Sequence, residues 1–203
     1  MGKIKKLVGS EFLKLKGTWI FWIHLGVPVA GAGLFLLYGV AAKREWQSVL
    51  EFYAETLAIV YPSVSAIICM QSVMQELKAG NFQNLLCVST LRWSAVLRKI
   101  LTLWILGLAA SLLAFLLFGM GIWGTKAAWN LSVKEYLICG LILWITQAGI
   151  YLLHFFLAMR FGSGACLAAG VTQSLIAALL FTGLGDGLWM WFPCGWSGHP
   201  VSY

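Results

Sequence analysis

Histidine and cysteine are the side chains of this sequence that could bind a metal ion or act as nucleophiles. The histidines are His24, His154 and His199, and none of them belongs to an HExxH motif. The cysteines stand at positions 69, 87, 139, 166 and 194, without a CxxC pair. Because zinc sites and disulfide frameworks need such residues at close, regular spacing, the sequence predicts neither.

The sequence also lacks the residues for ATP binding and for transport driven by ion gradients. No GxxxxGK[ST] loop occurs, so the chain predicts no ATP site of its own. Carriers driven by proton or sodium gradients place acidic groups at the middle of the membrane, and the long apolar runs of this sequence contain no Asp or Glu. The polar residues inside those runs are neutral, and they are more typical of helix packing than of a transport route. They are Ser63, Ser65, Gln71, Ser111, Thr146, Gln147, Thr172, Gln173 and Ser174.

The composition indicates that lipid surrounds most of the chain. Hydrophobic residues make up 61% of the sequence and charged residues 10%, whereas a soluble domain is about half apolar and about one quarter charged. The net charge of +7 would suggest nucleic acid in a soluble protein. Here the basic residues flank apolar runs, as the positive-inside rule requires, so no nucleic-acid partner is expected.

Five apolar runs are long enough to cross a bilayer, whose core of about 30 Å needs about 20 helical residues. We therefore predict an all-α integral membrane protein in which residues 1–203 form a single polytopic domain. The predicted spans are 18–42, 56–75, 100–123, 136–159 and 161–183. A cleaved signal peptide is the weaker interpretation of the first run, because the run is too long and Glu11 interrupts its leader.

Small residues four positions apart predict close contacts between helices, either within the chain or between two copies. The pairs are Gly26 with Ala30, Gly107 with Ser111, and Ala165 with Ala169. Pro28 and Pro62 either kink their spans or are tolerated near the span ends.

The loop charges predict the orientation of the spans. Ten basic residues lie on one side, in the N-terminal segment, in the segment between spans two and three, and at Arg160. Four lie on the other side, at Lys43, Arg44, Lys126 and Lys134. The richer side is expected in the cytoplasm, which places the N-terminus inside and, with five spans, the C-terminus outside.

An amphipathic segment precedes the first span. Within residues 1–17, apolar side chains recur at spacings of three and four with lysines between them. The pattern predicts a helix lying flat on the inner leaflet, although an ordinary lysine anchor for the first span is the alternative.

A second amphipathic segment, residues 76–99, joins spans two and three. Gly80-Asn81 predicts a break, and Phe82, Leu85 and Leu86 form a short apolar face after it. A cytoplasmic helix with such a face needs either a partner protein or the membrane surface. The outer segment 184–203 is rich in tryptophan, which is typical of an aromatic belt at the headgroup level and also of a contact surface for an amphiphilic peptide.

Three motifs resemble ABC-2-type transporter permeases and, more narrowly, the permease subunits of lantibiotic immunity and bacitracin-resistance exporters. The first is Ser10-Glu11-Phe12-Leu13-Lys14-Leu15-Lys16 with Thr18-Trp19-Ile20, followed by His24 and Pro28 in the first span. The second is Glu76, Gly80, Leu85-Leu86 and Lys99, which is similar to the family stretch that holds the coupling helix. The third is Gly185-Asp186-Gly187-Leu188-Trp189 with Pro193-Cys194 and Trp196, which is similar to the segment between the fifth and sixth family spans.

The resemblance implies a permease subunit of an ABC exporter in a bacterial plasma membrane, with a lantibiotic or similar antimicrobial peptide as cargo. It implies no cofactor on this chain, with ATP and Mg held by a partner ABC ATPase, and a second permease, homologous or identical. Family members have six spans, whereas this sequence predicts five. The implied coupling residues are Glu76, Lys78, Gly80, Phe82, Leu85 and Leu86, and the implied substrate contacts are Asp186, Trp189, Trp191 and Trp196.

The alternative from another class is a membrane scaffold or sensor that transports nothing and whose amphipathic segments bind a partner. An enzyme is not expected. An exporter should co-purify with an ATPase, whereas a scaffold would protect cells from a peptide equally well with an inactive ATPase.

Overall fold

The computed structural model describes residues 18–80, 92–123, 133–182, 185 and 187–196, with side chains at the start of the third helix described from Ala95 onward. This part of the chain contains six α-helices and two short 3₁₀ helices. The α-helices are α1 (Trp19–Ala42), α2 (Trp46–Lys78), α3 (Arg92–Ile122), α4 (Val133–Thr146), α5 (Ala148–Phe161) and α6 (Ser163–Leu180). The 3₁₀ helices are Trp189–Trp191 and Pro193–Gly195.

Five helical segments are long and apolar enough to cross a membrane, and α4 and α5 together form the fourth. The predictions of an all-α protein with five spans are confirmed. The second helix is longer than its predicted span of 56–75, because Glu51 and Glu55 end the apolar run without ending the helix. The predicted interfacial helix of residues 1–17, and most of the segment between α2 and α3, lie outside the described residues.

Helices α1 and α2 form a tight hairpin. Lys43 adopts a left-handed conformation with φ of 49°, and the N–H of Arg44 donates to the carbonyl of Gly39 at 3.3 Å. The ring of Trp46 then lies over Gly39, where a Cβ atom would meet it at 2.6 Å. Glycine at position 39 therefore permits the close approach that starts α2 beside α1.

The helices pack in two groups. Helix α3 packs against α1 and α4, whereas α2 packs against α5 and along most of α6. Helix α1 also contacts α2, and direct contacts between α2 and α3 are few. The two halves of the fourth span therefore belong to different groups.

Helix α6 compensates for the proline inside α2. Proline lacks an N–H and bends a helix, so neighbouring backbone groups need other partners. The N–H of Ser63 donates to Oγ of Ser174 at 3.2 Å, and the two hydroxyl oxygens are 2.8 Å apart. Gly170 lies so close to Ala66 that a Cβ atom would meet the alanine Cβ at 2.4 Å. Pro62 is thus tolerated deep in the span rather than near its end.

The fourth span is broken at Gln147, although its apolar run predicts one continuous span over 136–159. The N–H of Gln147 reaches only to the carbonyl of Trp144, at 3.3 Å, so the ordinary helical pattern is lost there. The hydroxyl of Thr146 donates to the carbonyl of Ile142 at 2.9 Å, and the indole N–H of Trp104 donates to the carbonyl of Trp144 at 3.1 Å. Side chains therefore satisfy carbonyls at the break, as lipid-embedded backbone requires.

Candidate coupling site

A buried ion pair joins the last turn of α2 to the second turn of α3. The ammonium group of Lys99 donates to a carboxylate oxygen of Glu76. Glu76 is 7% exposed and Lys99 is 4% exposed. The two residues flank the connecting segment 79–91, so their contact holds the two ends of that segment together.

The position of Glu76 is unfavourable without this partner. An anion in the last turn of a helix is opposed by the helix dipole, which favours cations there. Burial of a carboxylate adds a desolvation cost, and removing one partner of a buried pair typically costs about 3–5 kcal/mol. The Glu76 carboxylate is therefore held in place by Lys99.

The pair ties α2 directly to α3. Another tie lies at the opposite end of the bundle, where the hydroxyl of Tyr53 donates to the carbonyl of Ala114 at 3.3 Å. Because α2 and α3 otherwise touch little, the Glu76–Lys99 pair determines how far apart the helices lie at the base of the connecting segment.

Beyond the ion pair, α2 ends in exposed residues. Leu77 is 41% exposed, and Lys78 and Gly80 are also exposed. The N–H of Ala79 donates to the carbonyl of Gln75 at 3.0 Å, and Gly80 follows with φ of 128°, a conformation that favours glycine. Gly80 therefore turns the chain out of the helix, and Lys78 is the predicted coupling residue whose side chain faces outward.

The predicted coupling residues divide into two sets. The Glu76 side chain is turned inward to Lys99, and so its carboxylate is not presented to a partner, whereas Lys78 and Gly80 lie on the surface. Phe82, Leu85 and Leu86 lie outside the described residues. The sequence motif contains both Glu76 and Lys99 but was not interpreted as an ion pair. Their opposite charges at the facing ends of consecutive spans could have indicated the contact.

The predicted substrate contacts lie on a segment that folds back against the bundle. Trp191 is 80% exposed and Trp196 is 41% exposed, Trp189 is half-buried, and Asp186 lies outside the described residues. The indole N–H of Trp196 donates to the carbonyl of Met190 at 3.0 Å, which holds the segment compact.

Cys194 anchors this segment between helices. It packs with Leu180, Ile150 and Ile59. Ile59 is about 20 Å along α2 from Trp46 at 1.5 Å per residue, so the segment lies beside the middle of α2 and not beyond its end. Burial also raises the pKa of the Cys194 thiol.

His24 and His154 both make hydrogen bonds inside the helical bundle. Nδ1 of His154 is 2.8 Å from Oγ of Ser65 on α2, which is a hydrogen bond between helices, whereas Nδ1 of His24 bonds the carbonyl of Ile20 within α1. Among the residues that the structure describes, no three His, Cys, Asp or Glu side chains converge on a point where a metal ion could bind.

Five apolar spans, with a buried ion pair between the end of α2 and the start of α3, define a multi-pass membrane protein. Residues 7–185 match the family model described as ABC-2 family transporter protein. The chain therefore belongs to the ABC-2 family of transporter proteins, whose members are membrane subunits that work with an ABC ATPase. Searches of curated proteins and of solved structures found no match.

Proposed function

We propose that the chain is the permease subunit of an ABC exporter, with the Glu76 end of the bundle in the cytoplasm. The excess of basic residues on that side supports this orientation. A separate subunit would hydrolyse ATP, and a bacterial plasma membrane is the proposed location. The observation that carries the proposal is the buried Glu76–Lys99 pair at the base of the segment that the family uses for coupling.

The coupling step follows from the geometry of this pair. An ATPase that closes on ATP would push the connecting segment, whose apolar face is Phe82, Leu85 and Leu86. Lys78 is exposed beside it and is available to an acidic surface of the ATPase. Because Glu76 and Lys99 tie together the helix ends that flank the segment, a push on it would act on α2 and α3 together.

The bundle offers a way to respond to that push. Helices α2, α5 and α6 form one packing group and α3 with α1 and α4 the other, and the fourth span is broken between them at Gln147. A displacement of one group relative to the other can therefore be absorbed at the break without bending a continuous helix. Two permeases, identical or homologous, would rearrange along a shared face.

The proposed cargo is a lantibiotic or similar membrane-active peptide. The likeness of the Gly185–Trp189 stretch to lantibiotic immunity permeases supports this. The exposed ring of Trp191, with Leu188 and Met190 beside it at 53% and 58% exposure, provides an apolar surface for an amphiphile. Trp189 and Trp196 border this surface, and Asp186 is retained as a proposed contact from the sequence alone.

The test is the ATPase activity that co-purifies with the tagged chain from its native membrane. Replacing Leu85 and Leu86 by Asp should remove most of that activity while the chain remains inserted. Lys43→Asp with Arg44→Asp is the matched control, because it also introduces two acidic side chains, at exposed positions at the opposite end of the bundle. The control should retain the activity.

The opposite pattern would contradict the coupling assignment. If the Leu85 and Leu86 double variant keeps the full activity, the segment does not bind the ATPase. The cargo requires a separate assay, in which cells carrying the chain survive a lantibiotic only when the ATPase is active. Equal protection with a catalytically inactive ATPase would favour a scaffold.

A further inference from the structure

A groove opens on the surface of the bundle where α1 ends and α2 begins. Its volume is about 250 Å³, and since about 10–15 Å³ of such space holds one water molecule, a much larger group fits there. Arg44 and Ser48 in its lining are exposed, whereas Val49 is buried beneath them. Tyr38 of α1 and Phe52 of α2 complete the lining. This hairpin groove therefore presents polar side chains that a ligand can reach.

The turn between the two helices fixes the place of Arg44. Its backbone N–H donates to the carbonyl of Gly39 at 3.3 Å, after Lys43 in the left-handed conformation. The ring of Trp46 packs over Gly39 from the other side of the turn. The backbone of Arg44 is thus held against α1, and the groove is part of the hairpin.

The polar groups of the groove are hydrogen-bond donors that are not engaged elsewhere. Among the described residues, the guanidinium of Arg44 has no ion pair and the hydroxyls of Ser48 and Tyr38 have no hydrogen-bond partner. A guanidinium only donates, and each hydroxyl can donate. Glu45 follows Arg44 in the chain, but no Asp or Glu is among the described residues that line the groove. This set of groups suits an oxyanion, and the helix dipole at the start of α2 favours the same charge.

An apolar wall lies on the hydrocarbon side of Arg44. Tyr38 is 41% exposed and Phe52 is 50% exposed, and their ring centroids are 6.0 Å apart. Phe35 supports both rings, with its centroid 6.4 Å from that of Tyr38 and 5.4 Å from that of Phe52. Phe52 is about 9 Å along α2 from Trp46 at 1.5 Å per residue, so these rings lie deeper in the spans than the turn. The groove therefore joins a cation near the headgroup level to an aromatic surface below it.

We propose that the hairpin groove binds an anionic phospholipid. The guanidinium of Arg44 donates to the phosphate oxygens, the hydroxyls of Ser48 and Tyr38 add further donors, and an acyl chain lies along the rings of Tyr38 and Phe52. A free phosphate ion would use the same donors but leave the rings uncovered. An ammonium headgroup is disfavoured, because it would lie beside Lys43 and Arg44 without a carboxylate in the described lining.

This lipid site goes beyond the export function, because binding needs neither cargo nor ATP. With the N-terminus in the cytoplasm, the lipid would belong to the outer leaflet. The groove lies at the opposite end of the bundle from the coupling segment, so loss of the lipid would leave binding of the ATPase intact.

The experiment is native mass spectrometry of the full chain in detergent, which counts the lipid molecules bound to each protein. Phosphatidylglycerol and phosphatidylethanolamine with the same acyl chains are the probes, because both contain the phosphate and only the second contains an ammonium group. Phosphatidylglycerol should bind at a site where equimolar phosphatidylethanolamine does not replace it. Glycerol phosphate, which has the anionic group without acyl chains, should not displace the lipid at the same concentration.

Two adjacent cations provide a matched pair of variants. Arg44 lines the groove, whereas Lys43 is exposed beside it and does not. Arg44→Gln should weaken the binding of one phosphatidylglycerol about tenfold or more, the effect of losing a hydrogen bond to a charged group. Lys43→Gln loses the same charge and should keep that lipid. In the same way, Ser48→Ala should weaken binding, and Gln47→Ala, at an exposed position outside the lining, should not.

Four outcomes would each overturn the proposal. They are full binding in Arg44→Gln, equal losses in Arg44→Gln and Lys43→Gln, replacement of the lipid by phosphatidylethanolamine, and its displacement by glycerol phosphate. The last outcome would assign the groove to a soluble phosphate and not to a lipid. None of these results involves the ATPase, so failure here is distinct from failure of the coupling assignment.

Discussion

Trp104 and Trp144 exchange hydrogen bonds across two helices. The indole N–H of Trp104 donates to the carbonyl of Trp144 at 3.1 Å, and the indole N–H of Trp144 donates to the carbonyl of Trp104 at 2.8 Å. Their rings stack with centroids 4.0 Å apart and planes within 16°. The pair fixes the last turn of α4 to α3, immediately before the break at Gln147.

Trp104→Phe should destabilise the bundle. The substitution removes one of the two donors to the Trp144 carbonyl at the break, and a hydrogen bond typically contributes about 0.5–1.5 kcal/mol to stability. We expect a lower thermal midpoint of unfolding, measured in detergent by circular dichroism. Trp22→Phe is the control, because Trp22 is 60% exposed. Equal midpoints for the two variants would show that the Trp104–Trp144 pair does not support the break.

Gly170→Ala should also destabilise the protein, by overpacking. The added methyl group would meet the Cβ of Ala66 at 2.4 Å and the carbonyl oxygen of Pro62 at 3.1 Å. Inserting a methylene group into a tight interface costs about 1–3 kcal/mol. The measurement is again the midpoint of thermal unfolding.

The matched control for this change is Gly26→Ala. A Cβ atom at Gly26 meets nothing within 4 Å, so this variant should unfold at the wild-type temperature or slightly above it. If both glycine variants lose the same stability, the close contact of α2 with α6 at Gly170 is not a determinant of the fold.

The spans could be predicted from the sequence because lipid demands long uncharged runs, and each run is visible in one stretch of sequence. The break at Gln147 could not be predicted, because the carbonyl of Trp144 at the break accepts a hydrogen bond from Trp104, which is 40 residues earlier than Trp144 in the chain. The small-residue pattern on α6 pointed to Ala165 and Ala169, but the close contacts with α2 are made by Cys166 and Gly170. The rotation of α6 about its own axis decides which of two adjacent faces contacts α2. Residue types alone do not fix that rotation.

The candidate site was predictable in part. Glu76 and Lys99 could be named from the resemblance, but their contact depends on the angle between α2 and α3. A pocket beside His24 is formed by residues from five helices, and no local pattern marks such a set.

Alkylation of Cys194 should report how the outer segment packs. The thiolate is the reactive form, and burial raises the pKa of this thiol, so less thiolate is present at neutral pH. In a variant whose only cysteine is Cys194, the iodoacetamide rate should be low at pH 7. The rate should keep rising at pH values where an exposed thiol has reached its plateau.

Met190→Cys in a background lacking the native cysteines is the reference, because Met190 is 58% exposed in the same segment. Identical pH profiles for the two single-cysteine proteins would mean that Cys194 does not pack against Leu180 and Ile59. A difference in rate without a difference in profile would indicate restricted access alone.

We propose that the Glu76–Lys99 pair keeps the ends of α2 and α3 in the arrangement that binding of the ATPase needs. Glu76→Gln and Lys99→Gln each break the buried ion pair, and removing one member of such a pair typically costs about 3–5 kcal/mol. Glu76→Lys with Lys99→Glu restores opposite charges, and the helix dipole favours a cation at the end of α2. The swap is therefore the informative variant.

The deciding measurement is the ATPase activity that co-purifies with these three variants at equal membrane levels. We expect a large loss of activity in both single variants and recovery of most of the wild-type activity in the charge swap. Single variants that retain full activity, or a swap that recovers no more than either single variant, would contradict it.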